Sequence, residues 1–280
     1  HRIKKVPYRV VVVGAGLVGA LYEGESRRPK PASHAGAIAA HPDTELVALV
    51  DTSRATLKKA SKLFPRAKTY ASAHECLTQE RPDIVVIATP SSVRLSLLKL
   101  CIQQNVRAVI CEKPLASSTA EAEAIVRAVK KSGIIFVLNY PRRFAPLFAR
   151  ARRQIASGTL GTIQQITCHY SNGLYNNGGH VIDALSYLIG EEMNVLFARV
   201  NREAAHPPGD SCVDAVLVTK KGTQVTLQSV DQKAYGIFDI RILGTCGERA
   251  FTDYSLTLVE TDARASRFKE IRQLDREHAR

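Results

Sequence analysis

No apolar run among the 280 residues reaches the roughly 18 that a membrane span needs, so a membrane protein is not expected. Cysteine occurs six times, at Cys76, Cys101, Cys111, Cys168, Cys212 and Cys246, but without a C-x-x-C pair or regular spacing, and several fall in apolar stretches. That pattern argues against a disulfide framework or a metal site, and for reduced, buried thiols in a cytoplasmic protein. The N-terminus lacks a signal-peptide core, and the opening His1-Arg2, without an initiator Met, reads as a cloning remnant. Net charge is +13, yet Lys and Arg form no dense tract and no recognition-helix motif. Nucleic-acid binding is therefore not expected; a field that draws in anionic small molecules accounts for the imbalance. Internal repeats and low-complexity segments are also missing.

What is present is ordinary globular composition, 45% hydrophobic and 23% charged, with enough length for two modest domains. Residues 8–13 (YRVVVV) read as a strand running straight into Gly14-Ala15-Gly16-Leu17-Val18-Gly19, a G-x-G-x-x-G in the context where it has a mechanism. Gly14 would permit the tight turn, Gly16 would let the backbone approach a pyrophosphate, and Gly19 would let the next helix pack on the strand, with Leu17 lining the same loop. A second strand at residues 45–50 ends in Asp51, placed to take ribose hydroxyls, which points to NAD. Arg54, three residues on, leaves NADP open, because a guanidinium there can accept a 2′-phosphate or stack on adenine. Gly19 and Asp51 are further apart than the usual ~20 residues. The excess lies in the polar, Pro-rich residues 22–31, read as a tolerated surface insertion or a lid near the phosphates.

Helices expected over residues 54–63, 93–104 and 119–131 alternate with strands at 83–88, 108–111 and 134–139. Strict alternation predicts a Rossmann-type, doubly wound parallel sheet over residues 1–140. Beyond Tyr140, a helix at 146–155 precedes strand-like runs at 163–170, 195–202, 212–219, 224–230, 238–243 and 255–261, interrupted by one helix at 180–188. The expected fold class is thus α/β, with a second α+β domain over residues 141–280 built on a mostly antiparallel sheet.

After the strand at 108–111 comes Cys111-Glu112-Lys113-Pro114-Leu115. A lysine held by a proline at a strand exit, on the edge where a Rossmann-type sheet binds nicotinamide, is placed for acid/base chemistry; a surface lysine is the plain alternative.

Three motifs, in order, resemble the Gfo/Idh/MocA family of NAD(P)-dependent oxidoreductases. They are Cys111-Glu112-Lys113-Pro114-Leu115-Ala116; Asn139-Tyr140-Pro141-Arg142-Arg143-Phe144 with Gly158-Thr159-Leu160-Gly161; and Gly178-Gly179-His180-Val181-Ile182-Asp183. The resemblance implies hydride transfer between a nicotinamide and a secondary alcohol of a sugar, cyclitol or nucleotide sugar. It puts Thr89, Pro90, Glu112, Lys113 and Asn139 around the cofactor with the glycine loop, and Lys113 near the reacting carbinol. His180 would be the general acid/base, with Asp183 one helical turn on to orient the imidazole or touch a substrate hydroxyl, a structural cap or pair being the alternative for Asp183. Arg94, Arg142 and Arg143 are candidate anion contacts for a diphosphate-bearing substrate, surface or interdomain pairing being the alternative for the last two; Asn176 and Asn177 are candidate substrate contacts. The resemblance also implies a homodimer or homotetramer paired through the second sheet. The Asn-Asn-Gly-Gly-His form and the long loop before His34-Ala35-Gly36 are similar to a bacterial branch associated with polysaccharide and nucleotide-sugar pathways.

The chain departs from the family pattern in three places. Asn176 stands four residues before His180, where many members carry Asp, and Asn cannot be the charged partner of an imidazolium. Arg94 stands four residues after Pro90, where a His is common. The usual C-terminal helical segment is missing after Phe268-Lys269-Glu270-Ile271, so the chain is expected to be clipped or its second domain short. Two other functions fit these motifs: glycoside cleavage through transient oxidation by a tightly held NAD, and non-catalytic regulation by a dinucleotide-binding protein.

Overall fold

The structure, a computed structural model, describes residues 6–205, 207–266 and 270–276; His1-Arg2 and Phe268-Lys269 lie outside them. The chain divides into two compact units, residues 1–139 and 140–280.

In the first unit, strands β1 (Tyr8–Val13), β2 (Thr44–Val50), β3 (Lys68–Tyr70), β4 (Ile84–Ile87), β5 (Ala108–Cys111) and β6 (Ile135–Leu138) form one parallel sheet in the order 3-2-1-4-5-6. Helices α1 (His34–Ala40), α2 (Arg54–Leu63), α3 (Ala73–Glu80), α4 (Arg94–Gln103) and α5 (Thr119–Ser132) connect the strands. Apolar cores lie on both faces: Val11, Val85 and Val109 belong to one, Val10, Val12 and Val86 to the other. That is why the strands read as unbroken β-branched runs rather than as alternation. Serines start several helices where they are needed: the hydroxyls of Ser53, Ser72 and Ser118 accept from the amides of Thr56, Glu75 and Glu121.

The helix after the glycine loop is interrupted. Its first turn forms as usual, the Ala20 amide donating to Gly16 O, but the next rungs are filled from far along the chain: His34 N–H donates to Val18 O and Ala35 N–H to Gly19 O. Those partners are sixteen residues apart where a helix needs four, so twelve residues are looped out and the helix resumes in register. Removing twelve from the thirty-two between Gly19 and Asp51 restores the usual spacing of ~20. The loop is fastened by two charged hubs. The Glu23 carboxylate accepts from Ala32 N–H and the Ser33 hydroxyl, and the Lys30 ammonium donates to the carbonyls of Tyr22, Glu23 and Glu25.

In the second unit, α6 (Pro146–Ala156) leads to β7 (Ile163–Tyr170), a wide π-helical turn over Gly173–Gly178, and α7 (Gly179–Ile189). Then follow β8 (Met193–Val200), β9 (Val213–Thr219), β10 (Gln224–Ser229), β11 (Phe238–Gly244), β12 (Gly247–Thr252), β13 (Thr257–Ala265) and β14 (Arg272–Leu274). These make an eight-stranded sheet in the order 14-13-12-11-7-10-9-8, antiparallel except for β7 against β10. α6 and α7 share one core with the sheet, with Phe148 stacked on Phe251 at 4.1 Å. The strands β3, β12 and β14 and the helices α1 and α3 are absent from the expected elements. β12 hides because its Glu248 and Arg249 are buried and ion-paired, so the charges in GERAFT mask a strand that is covered on both faces.

Candidate active site

The carboxyl ends of β1, β2 and β4 open on a cleft of about 590 Å³ whose lining includes Gly14, Gly16, Asp51, Thr89, Pro90 and Val93. Gly14 sits at φ +94°, and a Cβ there would lie 2.6 Å from Ala88 O. At Gly19 a Cβ would fall 1.8 Å from Gly14 O, whereas at Gly16 the space is open. Only glycines allow this turn, and the open side at Gly16 is where a pyrophosphate can come against the backbone. Leu17 is exposed on the same loop. The Asp51 carboxylate accepts from Ala15 N–H at 3.0 Å and Ser53 N–H at 2.8 Å, which fixes it against the glycine loop and leaves acceptor capacity for ribose hydroxyls. Arg54, the first residue of α2, is exposed nearby. The Thr89 hydroxyl is buried in the cleft wall with no protein partner. A buried orphan hydroxyl beside an open glycine turn fits a bound dinucleotide, whose polar groups would satisfy it.

Lys113 follows the last residues of β5, and its neighbours are tied down. The Glu112 carboxylate accepts from His34 Nε2 at 2.8 Å, from Asn139 Nδ2 at 2.7 Å and from the Lys113 amide at 3.2 Å. Burial pushes the Glu112 carboxyl up, but the His34 and Asn139 hydrogen bonds outweigh it and hold the group below the usual carboxylate range. Arg94 corrects an expectation. It is not an anion contact: its guanidinium is buried, 4% exposed, and donates to the carbonyls of Thr89, Glu112 and Lys113. Those carbonyls end β4 and the β5 turn, where the ladder has run out, and a five-donor fork is suited to collect them.

In the second unit, His180 is the second residue of α7, and Tyr140 packs edge-on against its ring, with centroids 5.2 Å apart. The double glycine before it has a packing reason at Gly178, where a Cβ would meet Leu174 Cδ1 at 2.8 Å and the Tyr170 ring at 3.2 Å. The π-helical turn leading into α7 is held by Asp210, whose carboxylate accepts from the amides of Tyr175 at 2.7 Å and Asn176 at 2.9 Å. Asp183 and Arg143 meet each other in a bidentate pair, Arg143 Nε lying 2.9 Å from both carboxylate oxygens. Each therefore meets a protein partner, which is the structural-pairing alternative that the sequence reading left open for both residues beside a substrate or imidazole contact. Arg142 lies over the Phe238 ring at 3.6 Å and donates to Ser255 Oγ, and burial lowers it to about 10. Asn177 is buried and donates to Tyr254 Oη. Asp253, Tyr254 and Ser255 hold three successive left-handed conformations, with φ of 53°, 57° and 62°. Such a run is costly for non-glycine residues and marks a turn fixed by its contacts.

His34 and Asp210 were not assigned roles from the sequence. His34 becomes legible once twelve residues are removed from the interrupted helix; Asp210 lies in a Pro-Gly loop and carries no local signal. Among the described residues, no group of three or more His, Cys, Asp or Glu is placed to hold a metal, and no helix is long and apolar enough to cross a membrane. Burial pushes the Cys111 thiol up to about 11 and those of Cys76 and Cys101 up to about 12, so these are poor nucleophiles at neutral pH.

A 3-2-1-4-5-6 parallel sheet with a glycine turn and an acid at the end of β2 defines a dinucleotide-binding enzyme fold. Residues 8–140 match the family model GFO_IDH_MocA, the oxidoreductase family with an NAD-binding Rossmann fold. Over 280 aligned residues the chain is 24% identical to a myo-inositol 2-dehydrogenase from Thermotoga maritima, covering 92% of this chain and 80% of that protein. It is 24% identical to a D-glucoside 3-dehydrogenase from Escherichia coli over 71% of this chain and 57% of that one. Among solved structures, the WlbA dehydrogenase from Bordetella pertussis, in complex with NADH and UDP-GlcNAcA, superposes with a TM-score of 0.77 at 21% identity, covering 90% of this chain and 80% of that one.

Proposed function

We propose that this NAD-binding oxidoreductase oxidises a secondary alcohol of a sugar, cyclitol or nucleotide sugar, or catalyses the reverse reduction. The observation that carries the reading is Lys113, fixed at the exit of β5 by the Glu112, Asn139 and Arg94 bonds, on the carboxyl edge of the sheet that carries the glycine turn. NAD, when bound, accepts or returns the hydride. The Lys113 ammonium holds the alkoxide that develops on the substrate, and the His180 imidazole takes the hydroxyl proton. Asp51, Gly14, Gly16, Leu17, Gly19, Thr89, Pro90 and Asn139 hold the dinucleotide, with NAD favoured over NADP because the Asp51 charge repels a 2′-phosphate. Arg142 and Asn177 remain candidate substrate contacts.

The family and the named dehydrogenases among the relatives support this reading over a redox-neutral glycosidase or a regulatory protein. A homodimer or homotetramer belongs to the same proposal. It is supported by the exposed Val195, Leu196 and Phe197 on the edge strand β8 and is testable by sedimentation. A cytoplasmic location is supported by six thiols standing apart as free cysteines.

NADH production is measured with myo-inositol, glucosides and nucleotide sugars for the wild type and Lys113→Met. Loss of turnover by about 10²–10⁴-fold with NADH binding retained is the expected result. Unchanged turnover in Lys113→Met would sink the mechanism.

A further inference from the structure

We infer that His34 is a positioning residue for Lys113, acting through the Glu112 carboxylate. The inference rests on the role proposed for Lys113 and adds a residue that the motifs around Lys113 do not contain. His34 comes from a different element, the resumed helix α1, and its backbone place is set by the rung His34 N–H to Val18 O at 3.0 Å. Ser33, just before it, caps the helix by accepting from Gly36 N–H and donates its own hydroxyl to Glu23, so the looped-out segment is anchored at the residue next to the imidazole. The ring reaches β5, where Nε2 stands 2.8 Å from Glu112 Oε1; the two side chains are only 15% and 12% exposed.

A carboxylate this shielded is stable only where its lone pairs are met, and here each bond also orders the turn. His34 and Asn139 hold Oε1, which aims Oε2 at the Lys113 amide. On the other side of the same residue, Arg94 takes the Lys113 carbonyl. The backbone that carries the lysine is thus held at its N–H by Glu112 and at its C=O by Arg94. Of the two side chains that hold Oε1, Asn139 directly follows the neighbouring strand β6, while His34 is the one tie to the helix that starts at the phosphate loop. Without the imidazole, Glu112 keeps its charge but loses one of the two donors that set its direction. A shift on the scale of 1 Å at a reacting group is enough to cost on the order of 10²-fold in rate.

The test reads Lys113 directly. Wild type, His34→Phe, His34→Gln and Glu112→Gln are labelled with trace acetic anhydride, and the acetylation rate of Lys113 is measured by peptide mass spectrometry against the other lysines. NADH binding by fluorescence and the thermal midpoint are measured on the same samples. His34→Phe and Glu112→Gln are expected to move the Lys113 rate by about threefold or more, which corresponds to roughly half a unit in an amine pKa. In His34→Phe the NADH affinity should stay within about threefold, and His34→Gln, which can place an amide nitrogen near the Nε2 position, should return the rate toward wild type. With an alcohol that turns over, His34→Phe should lower kcat by about 10–100-fold, as loss of a supporting hydrogen bond commonly does. A Lys113 rate unmoved in both His34→Phe and Glu112→Gln overturns the inference. So does a change that follows the thermal midpoint and is not rescued by Gln, since that marks a structural tie only. The failure of the parent reading looks different: full turnover in Lys113→Met, whatever the labelling shows.

Discussion

The turn after β5 carries one proposed reacting side chain, Lys113, and the turn before α7 leads into the other, His180; the two turns are fixed by opposite charges. At the first, the buried Arg94 cation collects the carbonyls of Thr89, Glu112 and Lys113. At the second, the Asp210 anion collects the amides of Tyr175 and Asn176. The difference follows from what each kind of element leaves unpaired. Where a parallel strand ends, its last carbonyls lose their ladder, whereas a segment winding into a helix begins with amides that have no preceding turn to accept from. A cation therefore suits the strand exit and an anion the helix entry. Arg94 bonds the backbone of the proposed reacting residue itself, whereas Asp210 holds the turn that leads to the other, and neither is proposed to react.

The comparison can be broken by removing each hub. Arg94→Met should cost the most, about 3 kcal/mol or more, because it removes from a buried site the guanidinium that three carbonyls share and withdraws a packed side chain; denaturant unfolding measures it, and a loss below about 1 kcal/mol would mean that water replaces the guanidinium. Asp210→Ala should cost about 2 kcal/mol, with Asp210→Asn recovering about half, since an amide oxygen still accepts from the two backbone groups but without charge assistance. An Asn variant as unstable as Ala would show that the charge, rather than the acceptor, holds the turn.

A pH series sharpens the same contrast at Glu112. Its carboxyl is held below the usual range in the folded protein, so the stability it contributes is present above the unfolded value of about 4.3 and is lost as pH falls through the folded value. Glu112→Gln should accordingly flatten the acid limb of the stability profile below about pH 4.5 while leaving the neutral region's slope unchanged. An acid limb that superposes on wild type would exclude Glu112 as a contributor. The smallest effect is expected at Arg143→Ala, under about 1 kcal/mol, because Arg143 is 41% exposed and its pair with Asp183 is screened by solvent. A larger loss would assign that pair to the support of α7.

Much of the first unit was legible, because a strand buried on both faces needs a continuous β-branched run and a phosphate turn needs glycine at fixed offsets. Residues 8–19 and 45–51 satisfy both requirements within a few positions of one another. Lys113 and His180 were legible as motifs on the same ground, each sitting in a short segment whose neighbours are constrained with it. What escaped was whatever depended on partners far along the chain. Arg94 looked like a free cation because nothing near it in sequence shows that three carbonyls converge on it. β12 was missed because its charges are paired to other elements, as Arg249 is to Gln154 of α6 and Glu260 of β13.

By itself, then, the sequence determined the local events: where strands run, where the backbone must turn through a glycine, and which side chains stand at the turn. Only the tertiary structure decided which of the charged groups are spent on backbone and on each other, and that twelve residues leave the first helix without changing its register. The physical reason is that propensity and periodicity act over a few residues, whereas the satisfaction of a buried charge or an open carbonyl depends on groups that meet only after the sheet is assembled.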